Sequence, residues 1–108
     1  VVTHSGKSLV DALCKKNPTL RTISHWITRE DYKLPKPAPD GYLKAIADFA
    51  GIQDRIIGFE DSSRGLRSLM ATPATPILVN AIDEELRAAT KAQGVKVFTS
   101  FLEVLELE

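Results

Sequence analysis

Cysteine is nearly absent: Cys14 is the single one in 108 residues. One thiol excludes an internal disulfide framework and fits a reducing compartment. Neither sign of charge prevails, since 14 Lys and Arg stand against 14 Asp and Glu without a long like-charged run. A basic nucleic-acid stripe and a polybasic membrane patch are therefore not expected. No apolar run approaches the roughly 20 residues that span a bilayer. The opening Val1-Val2-Thr3 has no methionine, no charged n-region and no signal-peptide pattern. Repeats and low-complexity tracts are also missing. These absences predict a soluble, cytoplasmic chain with neither nucleic acid nor membrane as partner. The length suits one small domain, whose folding removes about two-thirds of the unfolded surface from water.

What is present alternates short apolar runs with helical periodicity. Val1-Val2-Thr3 reads as the end of a strand, and Ser5 as the cap of a helix from about Lys7 to Lys16, with Leu9, Ala12 and Leu13 on its inner face and Asn17-Pro18 as its stop. Thr22 to Thr28, "TISHWIT", is rich in β-branched and aromatic residues and reads as a strand. A proline-rich loop leads to Asp40, a candidate N-cap for a helix whose Leu43, Ile46, Ala47 and Ala50 share a face and which Gly51 ends in a left-handed conformation. Arg55 to Phe59 reads as a buried strand, followed by a helix from near Ser62 that carries Leu66, Leu69 and Met70 and stops at Pro73. Pro76 to Val79, a helix opened by Asp83 and ended by Gly94, Val95 to Phe98, and a short helix capped by Ser100 complete the pattern. Strands alternating with single amphipathic helices imply parallel crossovers and hence an α/β layered sheet. Ligands of such sheets lie beyond the carboxyl ends of the strands. Thr3, the loop after Thr28, and Glu60-Asp61 all fall at such ends.

Three features there bear on chemistry. Glu60 and Asp61 stand together where a strand leaves the core. Two carboxylates repel unless a cation intervenes, and oxygen ligands on a rigid strand end suit Mg²⁺. The competing explanation is a helix cap with Glu60 in water. Lys36, in "KPAPD", is stiffened by Pro37 and Pro39, and a held ammonium suits an anion; a solvated surface lysine is the plainer alternative. Thr3, with the backbone around His4 and Ser5 leading into a helix, offers a hydroxyl and N–H groups to an oxyanion; an ordinary capped strand end is the alternative. His25, Trp26 and Cys14 read as packing residues.

In combination, "VVTHS", "TREDYKLPKPAPDGYLKA" and "IIGFEDSSRG" resemble the second, third and fourth motifs of the haloacid dehalogenase-like hydrolases, in the phosphoglycolate phosphatase and β-phosphoglucomutase branch. The resemblance runs over essentially the whole chain. It implies that residues 1–108 are the C-terminal part of a core domain, a three-layer Rossmann-like parallel sheet with helices on both faces. It also implies roles. Thr3 would hydrogen-bond the transferring phosphoryl group with the amides around His4 and Ser5, and Lys36 would stabilise its charge. Asp61 would bind Mg²⁺, with Glu60 supporting it directly or through water. The substrate would be a small phosphorylated metabolite. Arg67-Ser68 and Ala71-Thr72-Pro73 depart from the small residues usual after the fourth motif, and Pro35 replaces a common glycine.

The larger departure is the first motif, which carries the nucleophilic and acid/base aspartates. No Asp-x-Asp occurs in the sequence, and the substrate-choosing cap is missing too. The attacking carboxylate that covalent phosphoryl transfer requires would then lie outside this chain. In the family the missing strand lies between the one ending at Thr3 and the one ending at Asp61. The sheet would therefore be incomplete, to be completed by an N-terminal segment or a second copy, and the isolated chain inactive. Rivals are a signalling receiver, whose acids come before its hydroxyl and lysine, a dehalogenase, which lacks the Glu-Asp-Ser motif, a phosphosugar mutase, and a non-catalytic remnant that binds phosphate or a partner.

Overall fold

The alternation of Ile77, Leu78 and Val79 decides how the layers form, because successive side chains of a strand point to opposite faces. In the computed structural model, which describes residues 1–106, these three residues occupy the middle of a three-stranded parallel sheet. Its strands are β1 (Ile57–Glu60), β2 (Thr75–Val79) and β3 (Lys96–Phe98), in the order β1-β2-β3. The register pairs Phe59 with Ile77 and Glu60 with Leu78, then Leu78 with Val97 and Val79 with Phe98. Leu78 packs with Leu66 of α4 (Ser63–Met70), with Ala81, and with Leu86 of α5 (Glu84–Ala92). Ile77 and Val79 turn the other way, joining Phe98 and Val104 of α6 (Phe101–Leu105). The fold is α/β, as expected. No helix among the described residues is long and apolar enough to cross a membrane.

Before the sheet come α1 (Lys7–Lys16), α2 (Pro18–Arg21), a 3₁₀ turn at Arg29–Asp31, and α3 (Asp40–Phe49). Here the structure corrects several expectations. The strands expected at Val1–Thr3 and Thr22–Thr28 contract to one parallel bridge between Val2 and Ile27. It is made by Thr3 N–H donating to Ile27 O at 2.9 Å and Ile27 N–H donating to Val1 O at 2.8 Å. The start of "TISHWIT" is consumed by the end of α2, where the N–H groups of Thr22 and Ile23 donate to Thr19 and Leu20 carbonyls. Asn17-Pro18, read as a stop, is also a start: the Asn17 side chain accepts from Thr19 and Leu20 N–H, and Pro18 opens α2.

Gly6, not Ser5, precedes α1, whose buried residue is Val10, while Leu9 and Leu13 are exposed. Asp40 is the first residue of α3 rather than its cap, and its carboxylate accepts from Leu34 N–H. Gly51 is not left-handed; Ala50 ends α3 in extended backbone, and the Gly51 N–H donates to Asp54 Oδ2 at 2.6 Å. Gly94, by contrast, has the positive φ of 81° that suits glycine after a helix. Ser62, Asp83 and Ser100 cap their helices as expected.

Strand β1 differs most from its reading as a buried strand. Ile57 is 59% exposed and Phe59 38%. The strand is at the sheet edge, with β2 on one side and no strand on the other among the described residues. Gly58 lies so close under α4 that a Cβ there would come 2.4 Å from Leu69 Cδ1. Phe59, on the opposite face, sets its ring 5.1 Å from that of Phe101 of α6. A gap of about 520 Å³ separates Val1 and Val2 from the Ile57–Asp61 segment.

Candidate functional site

Glu60 is the last residue of β1 and alternates to the same face as Gly58, toward α4. That face has room because Gly65 in the first turn of α4 lacks a side chain: a Cβ there would lie 2.0 Å from Glu60 Oε2. Ser62 fixes the helix start by accepting from Gly65 N–H at 3.1 Å. The carboxylate is thus drawn into the structure, only 8% exposed. It is not solvated, as the plainer explanation of the acid pair supposed.

A buried carboxylate needs partners, and two converge on one oxygen. Lys36 Nζ lies 2.5 Å from Glu60 Oε1, and the Tyr42 hydroxyl donates to the same atom. The Lys36 ammonium also reaches toward Val2 O at 3.5 Å and sits 4.9 Å from the centre of the Tyr42 ring. It is a half-buried, engaged lysine rather than a surface one. Burial pushes the Tyr42 hydroxyl far above its ordinary pKa, and its hydrogen bond to Glu60 and the charges of Glu60 and Asp61 act the same way. The proline loop is tied down from beneath as well. Ser68, buried on α4, donates to Ala38 O at 2.7 Å.

Thr3 approaches from the bridge. Its hydroxyl oxygen accepts from Ser5 N–H at 3.1 Å, and its carbonyl accepts from the Tyr32 hydroxyl at 3.2 Å. His4 Nδ1 lies 3.1 Å from the Tyr32 hydroxyl, whose pKa burial raises. A cleft of about 400 Å³ joins these parts: Thr3, His4, Lys36, Glu60, Asp61 and Ser62 all stand on its wall. Ser5 does not line it; its carbonyl accepts from Arg29 N–H at 3.1 Å. Three distant segments therefore supply a hydroxyl, an ammonium and two carboxylates to one cleft.

Asp61 is exposed. The ion pairs among the described residues are Arg29–Glu30, Lys36–Glu60 and Lys44–Asp48, so Asp61 belongs to none of them. Its oxygens suit a hard cation, and Mg²⁺ accepts one or two carboxylates with the rest of its shell water and phosphate. Glu60 fits that role in kind, although one of its oxygens is committed to Lys36 and Tyr42. No group of three or more His, Cys, Asp or Glu side chains among the described residues is placed to hold a metal. The donors match Mg²⁺ in chemistry and fall short of a complete protein cage.

Tyr42 and Ser68 carry much of this geometry and escaped the sequence reading. The signal for Tyr42 was available. Tyr42, Ala45, Ile46 and Phe49 follow the same i, i+3, i+4, i+7 spacing as Leu43, Ile46, Ala47 and Ala50. The structure half-buries Tyr42, Ala45 and Ile46 and leaves Leu43 and Ala47 exposed. Phe49 stacks on His25 with ring centres 4.1 Å apart. Comparison with protein-family models finds no match, and comparisons with curated proteins and with solved structures find none either.

Proposed function

We propose that this chain is part of a Mg²⁺-dependent phosphohydrolase acting on a small phosphorylated metabolite, by way of an aspartyl-phosphate whose nucleophilic aspartate lies outside the 108 residues. The observation that carries the reading is the convergence of Thr3, Lys36 and Asp61 on one cleft from three separate segments. Phosphoryl transfer asks little covalent chemistry of the protein beyond the nucleophile; it asks for positioning and for charge stabilisation. Thr3 Oγ1 and the neighbouring backbone of His4 would hold phosphoryl oxygens, while Ser5, outside the cleft, would orient the Thr3 hydroxyl through its N–H. Lys36 would offset the negative charge that gathers on them. Asp61, with Glu60 behind it, would hold Mg²⁺, which when bound neutralises charge on the phosphoryl oxygens.

The uncovered edge of β1 supports the same reading. Val1 and Val2 border the gap on one side, Ile57 and Phe59 on the other. An additional parallel strand there would pair with open backbone groups on β1 and cover apolar side chains that β1 leaves in water. Such a strand would end at the same cleft, where an attacking carboxylate is needed. The chain is then the C-terminal part of an incomplete Rossmann-like core, and alone it would bind phosphate without turning over a phosphomonoester.

The test is a titration of the chain with inorganic phosphate, with and without Mg²⁺, followed through backbone amide NMR shifts. The expected result is perturbation centred on Thr3, His4, Lys36 and Asp61, and larger with Mg²⁺. Perturbation elsewhere, or none at millimolar phosphate, would overturn the reading.

A further inference from the structure

Glu60 Oε1 serves two donors at once, and that sharing has a consequence for Lys36. The Lys36 ammonium has three N–H donors, and its 2.5 Å contact with Glu60 fixes where the others reach, so an anion in the cleft competes with Glu60 for the position of the charge. Glu60 is 8% exposed, and a buried carboxylate stripped of its partner is strongly disfavoured. The Tyr42 hydroxyl donates to the same oxygen independently of the ammonium, and a hydroxyl donated to a carboxylate is among the stronger hydrogen bonds. The Tyr42 ring meanwhile lies under the ammonium, 4.9 Å from its centre, close enough for its π face to hold the cation.

We infer that Tyr42 is a positioning residue for Lys36: its hydroxyl keeps Glu60 satisfied and its ring guides the ammonium, so that Lys36 can be shared between Glu60 and a phosphoryl oxygen. The inference rests on the phosphoryl-binding role proposed for this cleft and adds to it a residue from α3 that does not line the phosphate side. Without the hydroxyl, Glu60 has Lys36 as its remaining side-chain partner and holds it more tightly, and an anion must compete for it.

The experiment measures inorganic phosphate binding to the whole 108-residue chain by calorimetry, without Mg²⁺, for the wild type and for Lys36→Met, Tyr42→Phe, Glu60→Gln and the Tyr42→Phe/Glu60→Gln double variant. Tyr42→Phe keeps the ring and is expected to weaken binding by about tenfold, the scale of one hydrogen bond to a charged group. In the Glu60→Gln background, where no carboxylate competes for the ammonium, the same Tyr42→Phe change is expected to matter by less than about twofold. A purely structural loss would persist in that background, so an undiminished tenfold effect there overturns the inference. If Lys36→Met weakens binding while Tyr42→Phe does not, the inference falls and the phosphoryl reading stands. If Lys36→Met binds as the wild type does, or the wild type does not bind, both fall.

Discussion

Strands β1 and β2 are both short, apolar and parallel, yet they experience different surroundings. Leu78 of β2 has no exposed surface, whereas Ile57 of β1 is 59% exposed. The residue types do not account for that. Strand β2 has a partner on each edge and helices against both faces, while β1 has one partner among the described residues and lies against α4 through Gly58 and Glu60. Burial is conferred by what covers each face: β3 is also at an edge, yet its Phe98 is buried beside Val79 and Val104, whereas β1 keeps Ile57 and Phe59 partly in water. The functional cleft grows out of the same asymmetry. Glu60, the one buried residue of β1, is buried by α3, α4 and the Lys36 loop rather than by the sheet.

Truncating one apolar side chain in each strand separates the two environments by the largest margin. Leu78→Ala empties the centre of the core and should destabilise the chain by about 3 kcal/mol. Ile57→Ala removes a side chain already mostly in water and should cost less than about 1 kcal/mol. Urea unfolding of both variants reads the difference directly. Equal losses would mean that β1 is covered in solution, by a second copy or by another segment, and the gap beside it closed.

A second comparison sets the two lysine–carboxylate pairs against each other. Lys36–Glu60 joins partners whose side chains are 24% and 8% exposed, while Lys44–Asp48 is an i, i+4 pair along the open face of α3. Lys36→Met leaves a carboxylate in a poorly hydrated place, and removing one partner of a fully buried pair costs roughly 3–5 kcal/mol. Partial exposure of Lys36 and the remaining Tyr42 hydroxyl reduce that to about 2 kcal/mol here. Lys44→Met should change stability by less than about 0.5 kcal/mol. Thermal melting of the two variants at low and at moderate salt checks this, since only the exposed pair should respond visibly to screening.

These contrasts also mark what was legible in the residues. The helix boundaries of the second half were readable because each signal there was local: Ser62, Asp83 and Ser100 accept from N–H groups two or three residues on, and Gly94 needs only its own φ. The cleft residues were legible as types at strand ends, and the structure sets Thr3, His4, Lys36, Glu60 and Asp61 on one wall. Long-range dependence defeated the rest. "TISHWIT" has strand composition, but without a continuous partner only Ile27 pairs. The face of α3 was ambiguous because two overlapping spacings are equally apolar, and the Glu60 carboxylate that engages Tyr42 lies 18 residues away. No periodicity encodes that contact.

The smallest expected effect belongs to the 3₁₀ turn at Arg29–Asp31, which connects the bridge to the proline loop. Asp31 Oδ2 accepts from Thr28 N–H at 2.8 Å and from the Thr28 hydroxyl at 3.1 Å. The backbone hydrogen bond, first, and the hydroxyl hold the Asp31 carboxyl below its ordinary pKa. A carboxylate whose pKa is lower folded than unfolded favours the folded state above the unfolded value, about 3.9 for aspartate. That contribution disappears as pH falls through the folded value, because the protonated acid is no longer a pure acceptor. Asp31→Asn should therefore melt slightly below the wild type at pH 6, and the two should converge toward pH 2. An offset that stays constant across that range would mean that the turn is held by packing and not by the ionised cap.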